Sequence, residues 1–409
     1  MKVLMVNKFN YLQGGAERYF FELSDILKSK GHEVIPFCMQ DKRNKPSEFS
    51  GYFVENIDYN RSLKSKGFSS LKLAFKFMYS FEAKNKISAL IKKHKPDIAH
   101  LHNIYHQLSP SILHALKKHR IPVVMTVHDL KLVCPSYHLY CKGKVCERCK
   151  PNKFYHALLT RCVKESLIAS ILSCMEMYFH KMLKIYEKNV DIFIAPSKFY
   201  REKLIEFGFP GQKIVVLPYS IKLDEYRPEY STSSDYYLYF GRLVEEKGLK
   251  TLIEAASRIK DYRLYIAGNG AKLDYFKSLA LKIGAYNAEF LGKLDGDKLK
   301  EVVSGALFSV VPSQWYENNP LSIYESFALG RPVIASDIGG IPEFVDNKIN
   351  GLLFDPNNSA DLAKKINYLL SRPELRQSMG RAGRQKVETK ASPRVHLEML
   401  EGIYKRLLS

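Results

Sequence analysis

The stretch YYLYFGRLVEEKGLKTLIEAASR occupies residues 236–258 and shows how the chain is built. Its first five residues are aromatic or apolar and predict a buried strand, while positions 249–258 have the apolar spacing of a helix. Between them lies a turn bounded by Gly241 and Gly248. Because a strand that passes through a glycine turn into a helix is the building unit of parallel sheets, this stretch indicates an α/β fold.

The same alternation of strand and helix runs along the rest of the chain. Short apolar runs predict strands at 2–6, 33–38, 98–101, 123–127, 192–195, 213–217, 236–240, 263–267, 288–291, 308–311, 332–335 and 351–354. Helical spacing predicts helices that include 16–30, 249–258, 272–283 and 322–329. Runs of Val, Ile and Leu favour parallel sheets covered on both faces, and two such series imply two doubly wound domains.

The length of 409 residues suits two domains of about 200 residues each. A stretch rich in Pro and Ser and without periodicity, at 218–234, marks the expected boundary. We therefore expect a first domain at 1–217, a second at 218–392 and a terminal helix at 393–409. Two similar α/β domains that face each other would make the cleft between them the default binding site.

Composition excludes several classes of protein. A hydrophobic content of 46% rules out a disordered chain, and the lack of a run of about 18 apolar residues argues against a membrane-spanning helix. The apolar run at 1–7 is too short for a signal peptide, and seven cysteines without an export signal favour a reducing compartment. We expect a soluble cytoplasmic protein.

The charge of the chain is strongly basic, with 63 Lys and Arg against 42 Asp and Glu and a formal net charge of +21. Positions 61–95 hold ten basic residues and one acid, Glu82, interleaved with apolar residues. This mixture suits helices that lie on an anionic membrane surface, and it also suits a helix that packs its apolar side into a core. No nucleic-acid-binding motif accompanies the charge, so nucleic acid is not an expected partner.

Two motifs in the first half are candidates for a binding site. Gly14 and Gly15 open a predicted helix, where backbone could approach a ligand and free amides would favour an anion; a simple tight turn is the alternative. His128 and Asp129 end a predicted strand, where polar side chains point into the ligand crevice of an α/β sheet. His128 could donate to a substrate hydroxyl, or it could be a structural histidine bonded to backbone.

A cationic pair follows the strand at 236–240. Arg242 and Lys247 lie five positions apart in the glycine-bounded turn. A planar guanidinium and a compact ammonium can converge on one dianionic group. This spacing predicts a clamp for a diphosphate.

The stretch PSQWYENNPLSIYESF at 312–327 carries the most information. Asn319 suits an N-cap and Pro320 suits the first helical position, so a helix should begin near Leu321. The amides of Leu321 and Ser322 would then be available to a phosphate.

Two carboxylates flank this helix start, Glu317 in the loop and Glu325 in the second turn. Because they would repel a phosphate, each is expected to accept hydrogen bonds from ligand hydroxyls, one set from a sugar and the other from a ribose. The alternative is a pair of surface acids near a turn.

The order of these motifs resembles the retaining glycosyltransferase family 4, whose members have the GT-B fold. The matching motifs are Gly14-Gly15, the block from Gly241 to Gly248, Ala267-Gly268-Asn269-Gly270, and Glu317-x7-Glu325. The resemblance spans nearly the whole chain and implies two Rossmann-like domains facing across a cleft, with the terminal helix crossing back to the first. One departure is the linker sequence YSIK at 219–222, where members often carry Asn-Gly-Ile/Val-Asp.

The resemblance also implies roles for individual residues. Arg242 and Lys247 would hold the diphosphate of a nucleotide-sugar donor, without a metal. Glu317 would contact the donor sugar and Glu325 the ribose. The reaction centre would be lined by His128 with Gly14 and Gly15. The further donor-binding residues would be Gly268, Lys293, Leu294, Asn319, Leu321 and Ser322, with backbone near Lys293-Leu294 meeting the base.

The implied activity is retaining transfer of a sugar from a nucleoside-diphosphate sugar to a hydroxyl of a saccharide or lipid-linked saccharide. The sequence HDLKLVCP at 128–135 resembles a cysteine-bearing subset of enzymes of bacterial surface-polysaccharide assembly. An enzyme of that kind would work at the cytoplasmic face of the membrane. A nucleotide-sugar 2-epimerase of the same fold and a non-catalytic subunit of a polysaccharide-assembly complex are the alternatives.

Two short matches point elsewhere and are rejected. Asp295-Gly296-Asp297 resembles a metal-binding Asp-x-Asp, but a turn and a helix cap explain it better. Gly268-Asn269-Gly270 begins like a dinucleotide fingerprint, yet Leu273 stands where the third glycine belongs, so NAD is not expected.

Five cysteines fall within 134–162, and a C-x-x-C lies at 146–149. Four thiolates, from Cys134, Cys146, Cys149 and Cys162, would make a closed structural zinc site. Thiols without a metal and redox chemistry are the alternatives.

Overall fold

The computed structural model describes residues 1–56 and 76–409. The chain divides into two compact units. The first unit comprises Met1–His138, Glu147–Leu217 and Leu397–Ser409. The second unit comprises Leu139–Cys146 and Pro218–His396, so a short hairpin from the first half of the chain belongs to it.

The strands and helices follow each other in regular alternation. The strands are β1 (Lys2–Val6), β2 (Glu33–Phe37), β3 (Ile98–Leu101), β4 (Val123–Thr126), β5 (Tyr140–Cys141), β6 (Lys144–Val145), β7 (Ile192–Ala195), β8 (Ile214–Val216), β9 (Tyr236–Phe240), β10 (Arg263–Ala267), β11 (Ala288–Gly292), β12 (Ser309–Val311), β13 (Val333–Ser336) and β14 (Gly351–Phe354). The helices are α1 (Gly15–Ser29), α2 (Phe81–His94), α3 (Ser111–Lys118), α4 (His156–Thr160), α5 (Leu167–Met182), α6 (Ile185–Asn189), α7 (Lys198–Glu206), α8 (Leu249–Ala256), α9 (Leu273–Lys282), α10 (Gly296–Gly305), α11 (Leu321–Ala328), α12 (Ile341–Phe344), α13 (Ser359–Leu370), α14 (Pro373–Lys390) and α15 (Pro393–Leu408).

The first unit is built on a parallel sheet with the strand order β2-β1-β3-β4-β7-β8. The order reverses between β1 and β3. In an open α/β sheet, ligands bind outside the carboxyl ends of the strands at such a reversal. The loops that follow β1, β3 and β4 are therefore the expected site-forming loops of this unit.

The second unit is built on a parallel sheet with the order β11-β10-β9-β12-β13-β14. This is the strand order of a Rossmann fold, and its reversal lies between β9 and β12. The loops after these two strands carry the cationic turn at 241–248 and the stretch at 312–320. Topology alone therefore brings the two most informative motifs to one edge of the sheet.

The strands are apolar because helices cover both faces of each sheet. Leu238, Ile266 and Val333 in the second unit are fully buried, and so is Leu252 of the covering helix α8. Burying a side chain of this size stabilises the folded state by about 1.5–3 kcal/mol. This is why the apolar runs predicted from sequence match the strands closely.

All twelve predicted strands are present, with ends that differ by at most one residue. The α/β prediction is confirmed, as are the helices expected near 16–30, 249–258, 272–283 and 322–329. The hairpin formed by β5 and β6 was not predicted, because two-residue strands leave no periodic signal.

The basic stretch at 61–95 lies partly outside the described residues, which exclude 57–75. Its described part includes α2, whose Ala83, Ile87, Leu90 and Ile91 are buried, while Lys92 and Lys93 are exposed and Lys84 and Lys86 are half-buried. For these four residues the core-packing alternative holds, whereas Phe81 at the start of α2 is 69% exposed.

The terminal helix α15 ends in the first unit, to which Leu397–Ser409 belongs. Tyr404 is fully buried there, and its hydroxyl lies 2.6 Å from Nδ1 of His100 on β3. No helix in the described part of the chain is long and apolar enough to cross a membrane.

Candidate active site

Three loops meet at the carboxyl edge of the second sheet. Gly241 N–H donates to the Ala267 carbonyl at 3.0 Å, which ties the loop after β9 to the end of β10. Gln314 N–H donates to the Glu246 carbonyl at 2.9 Å, which ties the loop after β12 to the same cationic turn. The loops therefore hold one another through backbone hydrogen bonds.

Two glycines allow this close approach. Gly248 has φ +70°, a left-handed conformation, and a side chain there would collide with the carbonyl oxygen of Pro312. A side chain at Gly268 would collide with the carbonyl oxygen of Gly241. The positions that the sequence singled out as turn glycines are thus required by neighbouring backbone.

The centre of the arrangement is Glu317. Its Oε1 lies 2.6 Å from Lys247 Nζ, and it accepts from Ser313 Oγ at 2.5 Å and from Trp315 Nε1 at 2.8 Å. No described residue donates to Oε2. Lys247 Nζ also lies 5.5 Å from the centre of the Trp315 ring. The second carboxylate oxygen is therefore left to a ligand while the first is fixed.

Glu317 stays ionised despite its burial. Burial raises its pKa, but the charge of Lys247 and the hydrogen bonds from Lys247, Ser313 and Trp315 outweigh this, so the pKa lies below its usual value. A charged, acceptor-only carboxylate suits hydroxyl groups of a sugar.

The side chain of Arg242 is exposed, and its guanidinium makes no hydrogen bond or ion pair with any described residue. Its own backbone is held, because Tyr239 Oη donates to the Arg242 carbonyl at 2.7 Å. A guanidinium on a fixed backbone with uncommitted donors is well suited to an anionic ligand.

The helix α11 begins at Leu321, as the sequence predicted. Pro320 occupies the N-cap position with extended backbone, so the expectation that Asn319 would be the N-cap and Pro320 the first helical residue is wrong by one position. No side chain caps this helix, which leaves the amides of Leu321 and Ser322 without intrahelical acceptors.

Two polar side chains lie beside this helix start. Asn319 is buried, its Nδ2 lies 3.4 Å from the Tyr324 hydroxyl, and its Oδ1 has no partner among the described residues. Glu325 is half-buried, with the Tyr226 hydroxyl 3.5 Å from its Oε1. Both occupy positions from which they can meet a ligand held at the helix N-terminus.

The remaining predicted donor-binding residues lie at the ends of neighbouring strands. Gly268 follows β10, and its N–H donates to the Gly292 carbonyl at 2.7 Å. Lys293 and Leu294 follow β11, where Lys293 Nζ is 2.8 Å from Asp295 Oδ2 at the surface. All three therefore lie at the edge of the sheet that bears the cationic turn.

In the first unit, His128 follows β4 and is half-buried. Its Nε2 lies 2.9 Å from Nδ1 of His102, and the two rings stack with centres 5.1 Å apart. Tyr19 packs edge-on against His128 with ring centres 5.5 Å apart. Because Tyr19 lies on α1, which begins at Gly15 with Gly14 at the N-cap, this packing joins the glycine motif to the histidine.

Burial controls the protonation of this region. It lowers the pKa of His128 to about 3, so the imidazole is neutral at ordinary pH. Burial raises the pKa of Asp129 to about 6, against the opposing effects of the Lys131 amide and of the charges on Lys8 and Lys131. A neutral imidazole donates a hydrogen bond from one nitrogen and accepts one at the other, which suits contact with a hydroxyl.

The cysteines do not form the predicted zinc site. All seven lie in the described part of the chain as thiols, and among the described residues no three His, Cys, Asp or Glu side chains are grouped to hold a metal. Cys134 contacts Ser136 Oγ at 3.3 Å, and Cys146 belongs to the second unit whereas Cys134, Cys149 and Cys162 belong to the first. These four residues do not fit a zinc ion.

At 295–297, Asp295 takes the N-cap position of α10, in line with the predicted helix start.

Ser313, Trp315 and His102 were not assigned roles from sequence. Ser313 and Trp315 were visible inside the stretch at 312–327, but their convergence on Glu317 depends on the fold of the loop. His102 follows β3, and the neighbouring position of β3 and β4 in the sheet brings it to His128. Polar residues at the carboxyl ends of adjacent strands were the signal that would have found it.

Two family models together match most of the chain. Residues 13–225, more than half of the chain, match the family model described as Glycosyltransferase Family 4. Residues 224–386 match the model described as Glycosyl transferases group 1.

Individual relatives are distant but extend along the chain. An uncharacterized glycosyltransferase, MJ1607, of Methanocaldococcus jannaschii is 26% identical over 91% of this chain and 89% of its own length. The sulfoquinovosyl transferase SQD2 of Arabidopsis thaliana is 25% identical over 93% of this chain and 68% of its own. Among solved structures, Anabaena HepE in complex with UDP and glucose superposes with a TM-score of 0.71 at 16% identity, covering 99% of this chain and all of its own.

Proposed function

The chain belongs to glycosyltransferase family 4 and has the GT-B fold, and from that premise we propose that it transfers a sugar from a nucleoside diphosphate to a saccharide hydroxyl with retention of configuration. It is a nucleotide-sugar-dependent glycosyltransferase. The donor that we propose is a nucleoside-diphosphate sugar, by analogy with the UDP and glucose of the HepE complex.

The observation that carries the proposal is the arrangement of Arg242, Lys247 and Glu317 at the strand-order reversal of the second unit. When the bond from the anomeric carbon to the diphosphate breaks, negative charge develops on the departing phosphate. Lys247, held by Glu317, and the exposed Arg242 supply positive charge, and the uncapped start of α11 supplies amides. Donors that are aimed in advance at developing charge are usually the largest contribution to catalysis.

The carboxylates would recognise the neutral parts of the donor. Oε2 of Glu317 would accept from a hydroxyl of the donor sugar, while its Oε1 stays engaged by Lys247. Glu325 would accept from the ribose hydroxyls, and the unpartnered Oδ1 of Asn319 would accept from a donor group near the helix start. Gly268, Lys293 and Leu294 would offer backbone to the base.

The retaining step that we propose proceeds on one face of the sugar. The acceptor oxygen forms its bond to the anomeric carbon as the bond to the phosphate oxygen breaks, and the acceptor proton passes to that departing oxygen. His128 and the Gly14-Gly15 turn would line the acceptor side from the first unit. Isolation of a covalent glycosyl-enzyme would contradict this mechanism.

The acceptor that we propose is a lipid-linked saccharide of surface-polysaccharide synthesis, met at the cytoplasmic face of a membrane. The resemblance at 128–135 supports a role in surface-polysaccharide assembly, and the net charge of +21 favours binding to an anionic membrane surface.

A thermal-shift panel of nucleotide sugars and free nucleotides tests the proposal. A ligand at 100 times its dissociation constant adds about 2.7 kcal/mol of stability, which is a visible shift. We expect one nucleotide sugar to stabilise the wild type and Arg242→Ala to lose that response. Arg258→Ala removes an exposed arginine from the far end of α8 and should keep it.

Three other outcomes would contradict the proposal. If no nucleotide shifts the wild type, the donor site is absent. Conversion of the donor alone into an isomer would identify an epimerase. Donor binding without transfer or hydrolysis under any acceptor would identify a binding subunit.

A further inference from the structure

Helix α5 (Leu167–Met182) has its apolar side turned to solvent. Ile168 is 64% exposed, Met175 52% and Met182 74%. The outer face of α5 is defined by its six exposed large apolar residues: Leu167, Ile168, Ile171, Met175, Tyr178 and Met182. At about 100° per residue these six fall within an arc of about 100°, so they form one continuous stripe.

The inner face of the same helix is the more polar one. It buries Ser170, Ser173, Glu176 and His180 together with Cys174 and Met177. A helix on the surface of a globular protein normally does the opposite, placing its apolar stripe against the core. Single exposed apolar residues are ordinary, but a stripe along a helix about 24 Å long marks an interaction surface.

Buried polar contacts hold α5 in this orientation. Glu176 Oε2 lies 2.7 Å from Lys131 Nζ, and both side chains are almost fully buried. His180 Nε2 lies 2.9 Å from the Met78 carbonyl. Rotating the helix to bury its outer face would strand the Glu176 carboxylate and the Lys131 ammonium, which is costly. The exposure of the stripe is therefore built into the fold.

The charged residues around the stripe indicate the kind of surface that it binds. Between 153 and 184 the chain has five basic residues, Lys153, Arg161, Lys164, Lys181 and Lys184, and two acids, Glu165 and Glu176. Glu176 is buried, so the acid that remains at the surface is Glu165. Arg161 and Lys164 precede the helix and Lys184 follows it, whereas Lys181 in its last turn is paired with Glu187 at 2.7 Å. The exposed Arg161, Lys164 and Lys184 therefore make both ends of the stripe basic.

We propose that the outer face of α5 docks the first unit on an anionic phospholipid surface, with the stripe in the acyl boundary and the basic ends among the headgroups. Apolar residues flanked by Lys and Arg are the composition of interfacial helices. A second copy of the chain is disfavoured, because pairing two such helices brings basic ends together in either orientation and each chain carries +21.

This inference rests on the proposed function and deepens it by naming the surface on which a lipid-linked acceptor would be met. It also moves the membrane contact away from α2, whose Ala83, Ile87, Leu90 and Ile91 are buried in the core. Lys131, which anchors α5 through Glu176, comes three positions after His128 in the chain. A docked α5 would therefore hold the loop that carries the candidate acceptor-side histidine near the lipid.

The test is co-sedimentation of the full chain with vesicles of phosphatidylcholine alone or mixed with phosphatidylglycerol. The test variant is Ile168→Glu, Met175→Glu, Met182→Glu. The matched control, Leu281→Glu, Tyr286→Glu, Ile349→Glu, adds the same charge at second-unit positions that are 62–79% exposed. We expect wild type and control to bind the anionic vesicles, and the test variant to bind at least about tenfold more weakly.

A second variant tests the basic ends. Arg161→Gln, Lys164→Gln, Lys184→Gln should reduce binding to the anionic vesicles and leave the weaker binding to phosphatidylcholine unchanged. Because the altered side chains of both variants are exposed, circular dichroism and melting temperature should match the wild type.

Several results would overturn the inference. The proposal that α5 docks on a membrane would be wrong if the wild type bound no vesicle, or if the test variant bound vesicles as tightly as the control. A wild-type dimer that becomes a monomer in the test variant, with vesicle binding unchanged, would assign the stripe to self-association. The donor thermal shift of the test variant is read separately. If no nucleotide sugar shifted the melting temperature of the wild type, the proposed donor would be contradicted, and the conclusion from vesicle binding would not change.

Discussion

Lys247 and Glu317 are joined through one oxygen, with Nζ of Lys247 2.6 Å from Oε1 of Glu317. Ser313 and Trp315 donate to that same oxygen. The pair therefore fixes the lysine of the cationic turn to the loop after β12, and it leaves Oε2 of the glutamate for a ligand. The contact holds the two loops together, and under the proposed function it also presents Glu317 to the donor, so substitutions can test stability and donor binding separately.

We expect Lys247→Met to lower the free energy of unfolding at pH 7 by about 2 kcal/mol. Removing one partner of a largely buried ion pair leaves a carboxylate without its counter-charge; a full break costs about 3–5 kcal/mol, and the partial exposure of Lys247 reduces this. The double variant Lys247→Met, Glu317→Gln should recover part of the loss, because no unpaired charge remains. Urea denaturation of the wild type, the two single variants Lys247→Met and Glu317→Gln, and the double variant measures the coupling, and additive effects would contradict the pairing.

The pH dependence of Glu317 has a defined sign. Its pKa in the folded state is lowered, so its ionised form contributes stability above the unfolded pKa, about 4.3, and that contribution is lost as pH falls through the folded value. The stability difference between wild type and Glu317→Gln should therefore be largest near pH 7 and shrink below about pH 4. A difference that grows on acidification would show that Glu317 is not held ionised.

We expect Gly248→Ala to destabilise the second unit by more than about 3 kcal/mol and to weaken donor binding at least about tenfold. Its φ is +70°, and its methyl group would meet the Pro312 carbonyl, so the loop after β12 has to move. Gly31→Ala is the matched control, because Gly31 has φ +79° but open space around it. That variant should cost only the backbone strain, about 1 kcal/mol, without changing donor affinity. Equal costs would mean that backbone angle, and not loop contact, makes Gly248 necessary.

The contrast between two helices shows how far sequence alone could go. Helix α11 was placed to within one residue, because Pro320 and the apolar spacing after it act locally. The orientation of α5 could not be obtained in the same way, since it depends on Glu176 finding Lys131 across 45 positions of the chain. Hydrophobic spacing indicates that a helix has an apolar side, and only the tertiary partners decide whether that side is inside.

The candidate donor site shows the same contrast between local sequence signals and tertiary contacts. Arg242, Lys247 and Glu317 were visible as motifs because each lies in a loop that follows a strand, and the sheet order brings those two loops together. The hydrogen bonds from Ser313 and Trp315 were not visible, because they depend on the path of the loop between Pro312 and Glu317. The predicted zinc site shows the converse. Its four cysteines lie close together in the sequence, but the fold does not group them so that they could hold a metal.

We expect His128→Gln to reduce the rate of sugar transfer about 10²-fold. The factor should be the same at every pH from about 5.5 to 8. Burial lowers the pKa of His128 to about 3, so the imidazole is neutral throughout that range and its role does not titrate. Initial rates of wild type and variant with one donor and one acceptor measure the ratio. His119→Gln changes a histidine next to the surface end of α3 and should leave rates unchanged. A ratio that rises or falls steeply near pH 6.5 would contradict a neutral His128.

Asp129→Asn should stabilise the protein at pH 7 by about 2 kcal/mol. Burial raises the pKa of Asp129 to about 6 in the folded state, against about 3.9 when unfolded, so folding favours the protonated form. The wild type therefore loses stability as pH rises from about 4 to about 6, and above that range the loss is complete. The amide of asparagine carries no charge to desolvate, and its oxygen can still accept from the Lys131 N–H, now 2.9 Å from Oδ1. Urea denaturation at pH 4 and pH 7 should show a gain for the variant at pH 7 that nearly vanishes at pH 4, whereas the exposed Asp261→Asn should show no gain at either pH. A gain of equal size at both values would mean that Asp129 is not held against ionisation, and that the charges of Lys8 and Lys131 already compensate its burial.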